Sequence, residues 1–244
     1  GHANTASGVF ALNSNTTGVK NTASGYAALY WNKTGTENTA IGDYAGYGIN
    51  GKETSQSTFI GHGSFVDKNR TNITMLGADI VNGQCTADNQ IMLGNTAITA
   101  IRAQVSSITA YSDRRFKTNI QENVSGLDFI MKLKPVTYNV RPTELHKIWG
   151  TPDSLYNNID FSAAENMTNI GFIAQDVEKA AKESGFNFPG LDVPKNDKEA
   201  YALRYTDFIM PIIKDCVLQD KKVDEDSYLS VRNEYLSYIS RLNV

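Results

Sequence analysis

Cysteine is scarce in this 244-residue chain. Cys85 and Cys216 stand in different halves, with no CxxC and no Cys/His pairing at ligand spacing, so neither a disulfide framework nor a zinc site is indicated. A surplus of either charge is also missing. The 23 Lys and Arg against 26 Asp and Glu, a formal net charge of −3, leave no basic footprint for nucleic acid. No apolar run approaches the length of a membrane span, and no signal peptide opens the chain. Because the chain begins in the middle of a repeat, that last absence carries no information about export. No cofactor and no metal is expected.

Charge is unevenly distributed. Residues 1–111 hold 6 Lys/Arg and 6 Asp/Glu, whereas residues 112–244 hold 17 and 20. Composition, repeat pattern and expected structure all change across Tyr111 to Ile120. With 41% apolar residues, the chain has material for one large core or two modest ones.

Upstream of that junction, Asn4-Thr5-Ala6-Ser7-Gly8, Asn21-Thr22-Ala23-Ser24-Gly25 and Asn38-Thr39-Ala40-Ile41-Gly42 are near-copies, continued by Phe59-Ile60-Gly61, Met75-Leu76-Gly77 and Met92-Leu93-Gly94. The glycines are spaced 17, 17, 19, 16 and 17 residues apart. That period is too short for a helical hairpin and suits one coil of a β-solenoid over residues 1–97, with short strands and tight turns. Each coil offers only small apolar groups, so stacking and association of several chains must supply the rest of the core. The longer segment Gly46–Gln56 and the less regular Asp79–Asn89 are expected as loops. His62 has no second ligand at metal spacing and reads as a turn or interchain packing position. Tyr26, Tyr30, Trp31, Tyr44 and Tyr47 form an aromatic group, expected to pack or lie on the surface, with a glycan- or protein-binding face as the alternative. The Asn-Thr-Ala-x-Gly set resembles the heads of trimeric autotransporter adhesins (YadA-like β-rolls) and phage tail-fibre stalks. That resemblance implies a homotrimer, on a phage virion tail fibre or a bacterial cell surface.

Ile98 to Ile108 is β-branched and partly alternating, which predicts a β neck over 98–111. Beyond it, helical spacing at Leu127, Ile130 and Met131 stops at Lys134-Pro135, and Val136–Val140 reads as a strand. Residues 142–168 are polar with weak periodicity, a loop or insertion. Asn169–Ala174 is a strand, the helix from Gln175 closes at Gly185, Ala200–Arg204 is a strand, and from Tyr205 the pattern is helical. Tyr228, Val231, Tyr235, Tyr238 and Leu242 fall at steps of 3, 4, 3 and 4, the seam of a short coiled coil or of a packed amphipathic helix.

Four ordered motifs give the second half its resemblance: Ser112 to Ile120, Leu133-Lys134-Pro135-Val136-Thr137-Tyr138, Ile170 to Val177, and Tyr205-Thr206-Asp207-Phe208-Ile209. Together they resemble the endosialidase-type intramolecular chaperone domain that ends phage tail spikes and fibres, with a relative in the myelin regulatory factor. The resemblance implies an α+β domain over 112–244 that trimerises, templates folding of the preceding stalk and releases itself by cutting Tyr111–Ser112. Ser112 would be the nucleophile and Lys117 its base, an arrangement in which the amine must be neutral although free lysine titrates at about 10.4. Arg114 and Arg115 flank the position and favour the neutral amine if they point towards it. Five residues apart, the two side chains lie about 140° apart on a helix or about 17 Å apart on a strand. Either the segment turns sharply, or the lysine serves a neighbouring chain's serine. His146 is an accessory proton-carrier candidate, and Asp113 either orients the serine or begins a turn. The competing reading is a structural trimeric adhesin or fibre tip that assembles and does not cut.

Overall fold

A computed structural model describes residues 1–48, 52–81, 84–104 and 108–220; the seam expected from Tyr228 to Leu242 lies outside them. The chain divides into two compact units. The first comprises Gly1–Ser107, Thr137–Asn169 and Pro194–Ala200, and the second Ile108–Val136, Ile170–Val193 and Tyr201–Val244.

In the first unit, the glycine-paced repeat folds as a β-solenoid of about five turns. Its strands are β1 (Thr5–Ser7), β2 (Thr22–Ser24), β3 (Thr39–Ile41), β4 (Thr54–Ser55), β5 (Thr58–Ile60), β6 (Arg70–Thr71), β7 (Ile73–Leu76) and β8 (Gln90–Leu93). Strands β1, β2, β3, β5, β7 and β8 form one parallel ladder in that order, and β4 pairs with β6 alongside it. The segment Gly46–Gln56, expected as a loop, thus contributes a short strand of its own.

Register explains the composition. The middle residue of each ladder strand stacks on its counterpart, Ala6 on Ala23, then Ala40, Phe59, Met75 and Met92. Ala23, Ala40, Phe59 and Met75 are fully buried. Their side chains point inward because alternate residues of a strand face opposite sides. Phe59 fills a volume that the alanines leave, a burial worth roughly 1.5–3 kcal/mol. The residue after each of these faces outward, giving Ser24, Ile41, Ile60, Leu76 and Leu93 a continuous external row.

The recurring asparagine is a hydrogen-bond device. Asn21 Oδ1 accepts from both the backbone N–H (3.1 Å) and the side-chain amide (2.9 Å) of Asn38. Asn38 in turn accepts from Ser57 N (3.1 Å) and donates to the Thr54 carbonyl (2.6 Å). In the next coil Ser57 Oγ accepts from Ile73 N at 3.1 Å. Each coil therefore satisfies buried polar groups of the next, as close packing away from water demands. The glycine is equally specific: Gly25 has φ +135°, and a Cβ there would sit 2.4 Å from the Gly42 carbonyl oxygen.

Residues 98–104 and 108–111, the described part of the segment expected as a β neck, carry no strand within the single chain. A strand needs a pairing partner, and this segment has none among the described residues. The polar stretch 142–168, expected as a loop, contains two α-helices, Pro142–Trp149 (α2) and Ser162–Asn166 (α3). Pro142 starts the first of them without losing a needed N–H, and Gly150 ends it in the left-handed conformation at φ 68°, ψ 28°.

This insertion packs within the solenoid unit through His146. Its ring is buried, stacks on Tyr156 with centroids 4.5 Å apart, and places Nε2 2.9 Å from Thr96 Oγ1. Nδ1 is buried with no partner among the described residues. Burial pushes the imidazole pKa below its ordinary value. Because the folded pKa lies below the unfolded one of about 6.5, the stabilisation is fully present above that pH and is lost as pH falls through the folded value. Once the intrinsic pH dependence of amide exchange is divided out, the protection factors of α2 amides are expected to fall from about pH 7.5 to about pH 5 more in the unmodified protein than in His146→Gln. An equal fall in both would disprove the assignment.

The second unit holds the short helix α1 (Leu127–Ile130), which precedes α2 in the chain, and the helices α4 (Ala174–Glu183) and α5 (Ile209–Asp220). Strands β9 (Val136–Tyr138) and β10 (Asn169–Gly171) form a two-stranded sheet where the insertion leaves and returns, and β11 (Leu191–Asp192) pairs antiparallel with β12 (Ala202–Leu203). Its core is aromatic: Phe129 is fully buried against Phe186, Phe188 and Phe208, with Val177, Ala180 and Ala181 of α4 completing the cluster. Phe172 stacks on Phe208 at 5.1 Å, and its N–H donates to Tyr205 Oη at 3.1 Å. The third and fourth sequence motifs thus meet in one core.

Candidate functional site

The junction folds as a tight turn. Residues Arg114–Phe116 form a single 3₁₀ turn that Asp113 caps, its carboxylate accepting from Arg115 N at 2.8 Å. Such capping satisfies a donor that the turn leaves unpaired. The guanidinium of Arg115 returns to the same carboxylate, with Nε 3.1 and 3.0 Å and Nη2 2.6 Å from its oxygens. That hydrogen-bonded pair holds the Asp113 carboxyl below its ordinary pKa and the guanidinium above its own. Lys117 N donates to the Arg114 carbonyl at 3.1 Å and closes the turn.

The turn brings Lys117 Nζ to 2.5 Å from Ser112 Oγ within one chain. The sharp turn is therefore one way in which this chain overcomes the spacing of regular structure. Asp113 begins the turn. Arg115 faces Asp113, so its charge is matched by a carboxylate, and Arg114 remains as the other flanking cation. Tyr111, on the other side of the Tyr111–Ser112 bond, is 95% exposed, and Ser112 and Lys117 are exposed as well. In this arrangement Lys117 Nζ donates to the hydroxyl; attack requires an amine that accepts the hydroxyl proton instead.

Residues 112–186 match the family model described as chaperone of endosialidase. The match starts at Ser112 and runs through the turn, the insertion and α4. It supports a chaperone domain in this part of the chain, and the family is associated with phage tail fibres. Neither a curated protein nor a solved structure matches the chain. Among the described residues no helix is long and apolar enough to cross a membrane, and no group of three or more His, Cys, Asp or Glu is placed to hold a metal ion.

Two histidines raised by the sequence fall elsewhere. His146 belongs to the insertion, packed on Tyr156 and Phe161 in the solenoid unit rather than in the unit of Ser112 and Lys117. His62 pairs through Nδ1 with Asp79 Oδ1 at 2.9 Å. Asp79 was not among the sequence candidates, although it stands one 17-residue period after His62, the spacing that stacks residues of adjacent coils.

Proposed function

We propose that residues 112–244 are an intramolecular chaperone that trimerises, templates folding of the β-solenoid before it, and then releases itself by cutting Tyr111–Ser112. The observation that carries this reading is the 2.5 Å approach of Lys117 Nζ to Ser112 Oγ at the first residue of the chaperone match. In the reaction, neutral Lys117 takes the Ser112 hydroxyl proton while Oγ attacks the Tyr111 carbonyl carbon. The C–N bond breaks as the lysine returns the proton to the departing Ser112 amine, leaving an ester from Tyr111 to Ser112 Oγ. Water then cleaves the ester to a Tyr111 carboxylate and a free Ser112 hydroxyl.

Burial of the pair favours the neutral amine, because an ammonium loses its hydration when covered. In a single chain the pair is exposed, so assembly is the step that covers it, and cleavage follows trimerisation. The external row Ile41, Ile60, Leu76 and Leu93 supports assembly, since aliphatic side chains 40–50% exposed and aligned over four coils form the kind of patch that partners cover. Ile209, Met210, Ile212 and Ile213 are comparably exposed on α5. The whole molecule is then a homotrimeric fibre or adhesin of a phage tail or bacterial surface.

The double variant Ile60→Asp, Leu76→Asp tests the link. It alters outward positions and leaves the inward stack of Phe59 and Met75 in place. In a Ser112→Ala background, which keeps the chain whole, sedimentation is expected to give three times the 26.8 kDa mass without the two substitutions and a monomer with them, and with Ser112 present the double variant is expected to stay uncut. A monomeric variant that cuts at the normal rate would sever cleavage from assembly.

A further inference from the structure

Within the solenoid unit, a cavity of about 450 Å³ lies between the coils and the insertion. That volume falls in the usual range for small-molecule sites, about 300–1,000 Å³. Tyr44 and Tyr47 line it, their rings edge to face at 5.3 Å, and Phe65, Leu155 and Ile159 extend the apolar wall. The 3₁₀ turn Asp153–Leu155 supplies Leu155, and Ile159 follows it in the insertion.

One side of the cavity is polar and built in place. His62 Nδ1 is 2.9 Å from Asp79 Oδ1, and Asp79 N donates to the His62 carbonyl at 2.8 Å. Gly63 makes room for the carboxylate, since a Cβ there would sit 2.7 Å from Asp79 Oδ1. With Nδ1–H donating to the carboxylate, His62 Nε2 and Asp79 Oδ2 carry no other hydrogen bond among the described residues. The two side chains are 60% and 33% exposed, so both present atoms to an incoming molecule. The His62 ring also meets Tyr44 edge to face at 6.3 Å.

We propose that this cavity is a saccharide site that takes a neutral pyranose ring. A pyranose presents an apolar C–H face that suits the tyrosine rings and an edge of hydroxyls that suits acceptors such as Asp79 Oδ2 and His62 Nε2. Asn158, also in the lining, offers both a donor and an acceptor. Other ligand classes fit less well. An aliphatic group strands the carboxylate, and an anion is repelled by it. A quaternary ammonium engages the rings but leaves the imidazole and the amide unused. The site shares no residue with Ser112 and Lys117, so it stands whether or not the chain cuts itself.

Saturation-transfer NMR on the full chain tests the proposal, with glucose, galactose, mannose and N-acetylglucosamine as probes and tetramethylammonium as the contrast. At least one sugar is expected to receive saturation at its ring C–H protons. Asp79→Asn should weaken that binding about tenfold through loss of a charge-assisted hydrogen bond. Tyr47→Ala should remove it, and Ser112→Ala should leave it unchanged. If circular dichroism shows Tyr47→Ala to be unfolded, Asp79→Asn decides alone. The proposal is overturned if none of the sugars is saturated, if only tetramethylammonium is, or if Asp79→Asn binds as tightly as the unmodified chain. A cavity filled by a second copy of the chain gives the first of those results.

Discussion

Ser112→Ala and Lys117→Ala are each expected to leave the chain whole where the unmodified protein is expected to separate into two pieces. The alanine at 112 removes the attacking oxygen, and no other hydroxyl occupies the first residue after the scissile bond. The alanine at 117 leaves the hydroxyl without its base, and a serine hydroxyl without a base is a poor nucleophile. Both losses are expected to be complete on a gel over days, since removing a nucleophile or its base typically costs several orders of magnitude in rate. Both side chains are exposed in the single chain, so neither substitution disturbs the aromatic core around Phe129. Arg115→Ala separates positioning from chemistry. It removes the guanidinium that grips Asp113 and is expected to slow cleavage rather than abolish it, with the midpoint of the pH–rate profile displaced if the turn also sets the proton affinity of the pair. A Lys117→Ala chain that still cuts between Tyr111 and Ser112 would require another base.

Asn38→Leu is the second large effect, and it falls on folding. The leucine leaves the Ser57 N–H and the Thr54 carbonyl without their partner in a buried coil, and Asn21 Oδ1 loses one of its two donors. Orphaned buried groups of this kind cost about 1–3 kcal/mol each, so a loss of about 3 kcal/mol or more is expected in urea titration. Asn38→Ser should lose less, because Ser57 already performs the acceptor role for Ile73 one coil further on. Asn13→Ala, at an exposed position, should stay within about 0.5 kcal/mol of the unmodified chain. A fall for Asn38→Leu no larger than for Asn13→Ala would mean that the asparagine ladder does not hold the coils together.

The solenoid was legible because its physics repeats. Each coil needs a glycine where the next carbonyl approaches, a side chain such as Asn21, Asn38 or Ser57 to bond the next coil, and one inward side chain, so similar letters return turn after turn. The tight turn at the junction was legible only as one of two possibilities, since Asp113 as a cap and Arg115 as its grip are signals too short to outweigh alternatives. The helix Pro142–Trp149 was hidden by the polarity of its surroundings, although Pro142 and Gly150 mark its ends. That the insertion packs with the solenoid had no local signal at all. It depends on His146 meeting Thr96, 50 residues away, and long-range contacts of that kind leave no periodicity. The neck shows the complementary limit: β-branched residues favour a strand, but a strand forms only where a pairing partner exists, and local sequence does not name that partner.

The most direct measurement is the intact mass, under denaturing conditions, of the full chain purified as a verified trimer. The expected result is two species, one ending at Tyr111 and the other beginning at Ser112, whose masses sum to that of the chain plus one water. A single species at 26.8 kDa after prolonged incubation would contradict self-cleavage and leave a fibre tip that assembles without cutting.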